Sequence, residues 1–259
     1  MTRTSLKSRL AGGKPLLGSW LSWGFPPVAE LMARSGFDFL VVDQEHGAIG
    51  VAEMHQLVQV IDLAGLPPIV RVAGNETVLI KQALDAGAEG VIVPMVNSVE
   101  EAKQAVARAH YPPKGIRGAG LARAQGYGLG FAEYQARAKE TVVFVQIEHI
   151  DAVRQIDAIL AVDGVDGFVV GPYDLSASLG HAGDWAHPDV KAALDIIART
   201  VQGTKKVAGY HVVHSDAAEL KARFEAGYRF VAYGDDMVFL AEKVRDELAA
   251  ARKLLGAGR

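Results

Sequence analysis

The chain has 259 residues, half of them hydrophobic and 22% charged, with 27 basic against 30 acidic side chains and a net charge of -3. That apolar content argues against a disordered chain. Balanced charge without a Lys/Arg cluster argues against a nucleic-acid or anionic-membrane partner. The absence of cysteine removes disulfides, thiolate nucleophiles, Cys-ligated zinc and iron–sulfur clusters together. The opening residues hold no apolar stretch of signal-peptide length and no run approaches a membrane span, so the sequence reads as cytoplasmic.

In chain order, eight short apolar, β-branched runs alternate with longer amphipathic segments. The runs are Leu16–Trp20, Phe39–Asp43, Pro68–Val72, Gly90–Pro94, Val142–Glu148, Gly167–Val170, Val207–Val212 and Arg229–Tyr233. They are continuous and not alternating, which predicts strands buried on both faces. Between the second and third, Val51, Met54, Leu57, Val58 and Ile61 recur at helical spacing within Val51–Ala64. Gly36, Gly65, Gly87 and Gly227 each follow such a stretch, where a left-handed helix cap is expected. At the end, Met237–Leu255 sets Met237, Leu240, Val244, Leu248 and Leu255 on one stripe. Strand–helix units in this number, with no glycine-rich dinucleotide turn after the first strand, predict one α/β domain over residues 1–259. Its expected form is a (β/α)8 TIM barrel. One stretch, His110–Lys139, is too long and glycine-rich for a simple connection. It is expected to form a functional loop at about 110–140 followed by a short helix.

Barrel active sites gather at the C-terminal ends of the strands, so the polar residues ending each run carry the functional question. The second run ends in Asp43-Gln44-Glu45-His46, the third in Arg71, the fifth in Gln146-Ile147-Glu148 and the sixth in Gly171-Pro172-Tyr173-Asp174. Glu148 and Asp174 end successive strands, expected ~5 Å apart, and two such carboxylates need a shared proton or a cation. With no lysine beside them, an oxygen-liking divalent ion is the natural neutraliser. The bland alternative is that each caps the following helix. His46 follows Asp43 by three residues, which lets a carboxylate hold the imidazole's tautomer. Arg71 ends a buried strand and needs an anion, either Glu45 or a substrate oxyanion. Gln146 shares the barrel-facing side of Glu148. On its own, Asp85, near the end of the third helix, reads as a solvated charge.

Absences narrow the chemistry. No lysine falls where a Schiff-base aldolase needs one, and neither a G-x-S-x-G elbow nor a P-loop occurs. What remains is a metal site, a base and an arginine, the equipment for removing a proton beside a carbonyl.

The set Asp43-Gln44-Glu45-His46, Arg71, Val93-Pro94-Met95, Tyr111 to Gly118 (YPPKGIRG), Gln146-Ile147-Glu148 and Gly171 to Ser176 (GPYDLS) resembles the HpcH/HpaI aldolase family over nearly the whole chain. The resemblance implies a divalent-metal-dependent (Mg²⁺, Mn²⁺ or Co²⁺) pyruvate aldolase. Such an enzyme cleaves 4-hydroxy-2-oxo acids to pyruvate, or an analogue such as hydroxypyruvate, and an aldehyde through a metal-stabilised enolate. It also implies a homo-hexamer in which the last helix is exchanged between subunits. Residue by residue, it makes Glu148 and Asp174 the metal ligands and Arg71 the group on the enolate oxygen. His46 becomes the general acid/base, Asp85 the acid that raises its basicity and Asp43 a further partner, while Gln146 and the backbone at Tyr173 bind pyruvate. Tyr173 stands where a small residue is common, and the segment Gly118–Gly130 is short, so the aldehyde is left open. Two other readings compete. A citrate-lyase-β-like acyl-CoA lyase would need a basic surface for CoA phosphates, and none is evident; a non-catalytic metabolite-binding barrel would not need a general base.

Overall fold

The computed structural model describes residues 4–256 and closes eight parallel strands into a barrel in the order of the chain. The strands are β1 (Leu16–Leu21), β2 (Phe39–Asp43), β3 (Pro68–Arg71), β4 (Gly90–Val93), β5 (Val142–Ile147), β6 (Gly167–Val170), β7 (Val207–Val212) and β8 (Phe230–Asp235). Each pairs in parallel with its neighbours, and β8 returns to β1 through Leu16–Phe230, Leu17–Val231 and Gly18–Ala232. Around them run α1 (Leu6–Ala11), α2 (Pro26–Ala33), α3 (Val51–Leu63), α4 (Thr77–Ala86), α5 (Val99–Ala109) and α6 (Phe131–Arg137). They are followed by α7 (Ile150–Arg154), α8 (Ile156–Leu160), α9 (Pro172–Ser178), α10 (Pro188–Gly203), α11 (Ala217–Glu225) and α12 (Asp236–Leu254). All eight expected runs are strands; Val72, Pro94, Glu148 and Arg229 fall just outside them, in the connections, and β8 runs on to Asp235.

The continuous apolar runs make two cores, because alternate residues of a strand face opposite sides. One set faces the helices, where Val42, Val70, Val91, Val145 and Val231 meet Leu57, Ile61, Leu84 and Ile197. The other fills the barrel itself, with Phe39, Phe144 and Phe230 stacked at 3.9 and 4.7 Å between ring centroids. Leu6 and Leu10 of α1 belong to this interior cluster. Each such side chain contributes roughly 1.5–3 kcal/mol on burial. In α3 the expected face is buried at Met54, Leu57, Val58 and Ile61, while Val51, in the first turn, is 46% exposed. The four glycines expected to end helices all have positive φ, from 90° to 110°. No helix among the described residues is long and apolar enough to cross a membrane.

Two departures bear on function. The segment expected to be a functional loop runs from the end of α5 to the start of β5, so it lies at the N-terminal face of the strands. Its side chains tie it to helix ends at that face. Arg123 donates to Asp62 at 2.7 Å and to the Ala86 carbonyl at 3.0 Å, and the Tyr134 hydroxyl donates to the Leu84 carbonyl at 3.3 Å. The expected short helix is present as α6, but within this chain the segment does not border the mouth where β-strands end. The second departure concerns α12. Its stripe has the spacing read from the sequence, yet Met237, Leu240, Val244, Leu248 and Leu255 are all exposed and nothing in the described chain covers them.

Candidate active site

Parallel strands place all their C-terminal ends at one mouth, and the polar residues following β2, β3, β5 and β6 meet there. Glu148, one residue past β5, is 2% exposed. The backbone N–H of Met95 donates to its Oε1 at 2.7 Å, and the Gln146 amide donates to its Oε2. Met95 is held at φ 52°, a strained value for a residue with a side chain, and this is the conformation that aims its N–H at Glu148. Burial pushes the Glu148 carboxyl above its ordinary range, and the nearby charge of Asp174 pushes the same way. Asp174 is an exposed residue in the first turn of α9 and not a strand terminus. Neither carboxylate caps a helix: α7 is capped by the His149 ring, and α9 has Gly171 as its N-cap with no side-chain bond. The buried Gln146 Oε1 finds no protein partner. An unpartnered acceptor beside a buried carboxylate, with a second carboxylate at the rim, suits a hard divalent cation that completes its shell with substrate oxygens and water.

Opposite stands a clamped guanidinium. Asp43 takes Arg71 in a two-point grip, Nε at 2.9 Å and Nη2 at 2.7 Å, while Glu45 approaches Nη1 at 3.0 Å. Below, the Arg71 guanidinium lies 4.3 Å over the Trp20 ring, whose plane stacks at 5.1 Å on His211. Burial lowers the His211 ring to about 4, so the imidazole is neutral and Nε2 donates to the Gly234 carbonyl at 2.9 Å. The arginine is thereby fixed in a plane by two anions at its edge and an aromatic floor. Burial also raises Glu45 from the ordinary 4.5 to about 6, with Arg71 opposing the shift and Glu148 adding to it.

His46 stands at the rim with its side chain 64% exposed, and its Nε2 is 3.8 Å from Glu45 Oε2. The pairing expected between Asp43 and this imidazole is not what the chain builds. Asp43 turns to Arg71, and its Oδ1 also accepts the backbone N–H groups of Glu45 and, at 3.4 Å, His46. Asp85 is equally displaced from its expected neighbour. It sits on the last turn of α4, at the opposite face of the barrel, and accepts Arg117 at 2.6 Å. Tyr173 is 59% exposed at the rim.

Two contributors escaped the sequence reading, and a third was named there without a role of its own. Trp20 and His211 lie inside apolar runs, where an aromatic residue reads as core. Gly171 is the third: a Cβ there would stand 2.7 Å from Glu148 Cβ and 2.8 Å from its Oε2. Gly171→Ala must therefore displace the carboxylate. Divalent-metal affinity is expected to fall roughly 10–100-fold, as when a group supporting a metal ligand is lost. The fold should survive because Gly171 has an ordinary φ of -105°. Metal titration followed by circular dichroism checks both halves.

This geometry can be set beside known proteins. Residues 17–242 match the family model described as HpcH/HpaI aldolase/citrate lyase. A hydroxypyruvate/pyruvate aldolase of Cupriavidus necator is 37% identical over 249 residues, covering 95% of this chain and 92% of its own. A 4-hydroxy-2-oxo-heptane-1,7-dioate aldolase of Salmonella paratyphi B is 39% identical and covers 98% of both chains. Among solved structures, an HpcH/HpaI aldolase/citrate lyase family protein from Burkholderia cenocepacia superposes with a TM-score of 0.89 at 36% identity, covering 95% of this chain and 98% of that one. Fold, mouth and similarity agree along nearly the full length: the chain is a member of the HpcH/HpaI aldolase/citrate lyase family, a family of carbon–carbon lyases.

Proposed function

We propose that the protein is a divalent-metal-dependent aldolase that reversibly splits 4-hydroxy-2-oxo acids into pyruvate, or hydroxypyruvate, and an aldehyde. The observation that carries this reading is the clustering, at one mouth, of buried Glu148 with Gln146 and Asp174, clamped Arg71 and exposed His46. Glu148 and Asp174 would hold the ion, and their all-oxygen donor set suits Mg²⁺, Mn²⁺ or Co²⁺. When bound, such an ion supplies Lewis acidity that polarises the 2-oxo group. Arg71 faces the negative charge that develops on the 2-oxo oxygen, already oriented by Asp43 and Glu45. The His46 imidazole takes the proton from the C4 hydroxyl. The C3–C4 bond breaks, its electron pair passes to C3 and the carbonyl, and the aldehyde leaves. The proton then returns to C3, giving the pyruvate methyl group. Gln146 and the backbone at Tyr173 orient the acid, and the exposed Tyr173 ring meets the aldehyde side of the mouth.

The reading extends to assembly. The uncovered α12 stripe supports a homo-hexamer in which this helix packs on another subunit. Asp85, at the far face of its own barrel, could act on His46 only from a second copy, which such an assembly supplies.

Exchange of pyruvate's methyl protons with D₂O tests the function without knowing the aldehyde. It should cease after exhaustive chelation and return with Mg²⁺, Mn²⁺ or Co²⁺. Exchange that persists without metal, or that no metal restores, would remove the metal-dependent aldolase reading.

A further inference from the structure

The connection from α9 to α10 carries a second group of metal-binding side chains that the chemistry above does not use. His181, His187 and Asp189 each bring one ligand atom to a common place, all within 4.8 Å of one another. The two imidazole rings lie face to face with centroids 3.3 Å apart and planes 18° from parallel. Backbone bonds hold this geometry in the loop itself. The His181 N–H donates to Ser176 O at 2.9 Å, Asp184 N–H to His181 O at 2.9 Å and His187 N–H to Asp184 O at 3.3 Å.

The His187 Nδ1 accepts the backbone N–H of Asp189 at 3.3 Å, which leaves the neutral ring's proton on Nε2. Its lone pair is therefore on the nitrogen that lies 3.8 Å from Asp189 Oδ2. At 3.3 Å this N–H contact is long, and a cation on Nδ1 would take its place at the start of α10. No protein hydrogen bond engages the His181 ring among the described residues. Asp189, 68% exposed in its side chain, is free to turn inward. A tetrahedral ion with Zn–N bonds of the usual length would draw the donors to about 3.4 Å and turn the two rings out of their stack, since each imidazole coordinates in its own plane.

We propose that His181, His187 and Asp189 form a second metal site, separate from Glu148 and Asp174, for a borderline cation of the Zn²⁺ class. Two imidazoles and one carboxylate favour Zn²⁺ over Mg²⁺, which prefers the all-oxygen set. Water completes the coordination. The ion braces the mouth from behind: Gly183 N–H donates to Ser176 Oγ at 2.9 Å, and a Cβ at Gly183 would lie 3.5 Å from the Tyr173 ring. Fixing this loop fixes the start of α9, which carries Tyr173 and Asp174.

The test is a calorimetric titration of the full, tag-free chain with Zn²⁺. In a Glu148→Gln, Asp174→Asn variant the carboxylate pair is disabled, and one Zn²⁺ per chain should still bind. Adding His187→Ala should weaken that binding by on the order of 100-fold, as loss of one of few ligands does. As a second measurement, Zn²⁺ added to otherwise wild-type protein saturated with Mg²⁺ should raise Tm, and His181→Ala with His187→Ala should abolish the rise. Zn²⁺ binding that is absent in the carboxylate variant, or a Tm rise that survives loss of both histidines, overturns the site. Neither readout depends on turnover, so failure here leaves the aldolase reading standing.

Discussion

His46→Ala is expected to lower kcat by roughly 10²–10⁴ while leaving pyruvate affinity nearly intact, the usual effect of deleting a positioned acid/base. The structure separates this from a packing role. The His46 side chain is 64% exposed, and α3 has Gly50 as its N-cap with no side-chain bond, so the imidazole neither fills a core nor ends a helix. Its removal should change stability by no more than ~0.5 kcal/mol. The nearest carboxylate is Glu45, 3.8 Å from Nε2. Measuring Tm, pyruvate affinity and kcat on one His46→Ala preparation settles the role. A destabilised variant with kcat within a few-fold of normal would defeat the mechanism.

How much of this was written in the chain differs by element. The strands were legible because each is buried on both faces, and an unbroken run such as Phe39–Asp43 has few other uses. The rim was legible for a related reason: a carboxylate or guanidinium directly after an apolar run, as at Glu148 or Arg71, is costly unless it meets something. The partners were legible only in part. Glu45 was expected as an anion for Arg71 and does meet it, but spacing alone could not say that Asp43, two residues earlier in the same turn, also grips Arg71 and is not reserved for His46.

Chain order contained more than composition suggested. Asp85 ends a helix that follows a strand, and residues 110–140 follow a helix and precede a strand, so topology alone assigns both to the N-terminal face. Glycine content and length pointed to function but could not state the face. Trp20 was hidden because an indole within an apolar run looks like core, which it also is, at 4% exposure. The α12 stripe shows the opposite limit. Its periodicity was plain, but periodicity reports a face and not what covers it.

Arg71 separates stability from chemistry most sharply. Arg71→Lys should lower kcat/KM by roughly 10²–10³, the scale of losing one oriented donor at a developing oxyanion. An ammonium keeps the charge but cannot reproduce the two-point grip with Asp43 or lie flat over Trp20. Arg71→Ala should in addition destabilise the fold by about 3–5 kcal/mol, since Asp43 and Glu45 are left as unpaired charges. That penalty has a pH signature. Burial already raises Glu45 to about 6, and Arg71 is the main influence holding it down. Without the arginine its folded pKa rises further above the unfolded value. A carboxyl raised in this way stabilises the fold below its unfolded pKa and loses that contribution as pH climbs through the folded pKa. The Arg71→Ala defect should therefore be smallest in mild acid and grow toward neutrality. Adding Asp43→Asn and Glu45→Gln to an Arg71→Met background removes the stranded charges, so stability should largely return while turnover does not. Near-normal kcat/KM in Arg71→Lys would take Arg71 off the reacting oxygen and leave it as the barrel's internal counter-charge. Recovery of turnover in the triple variant would do the same, because that chain holds no guanidinium at the mouth of β3.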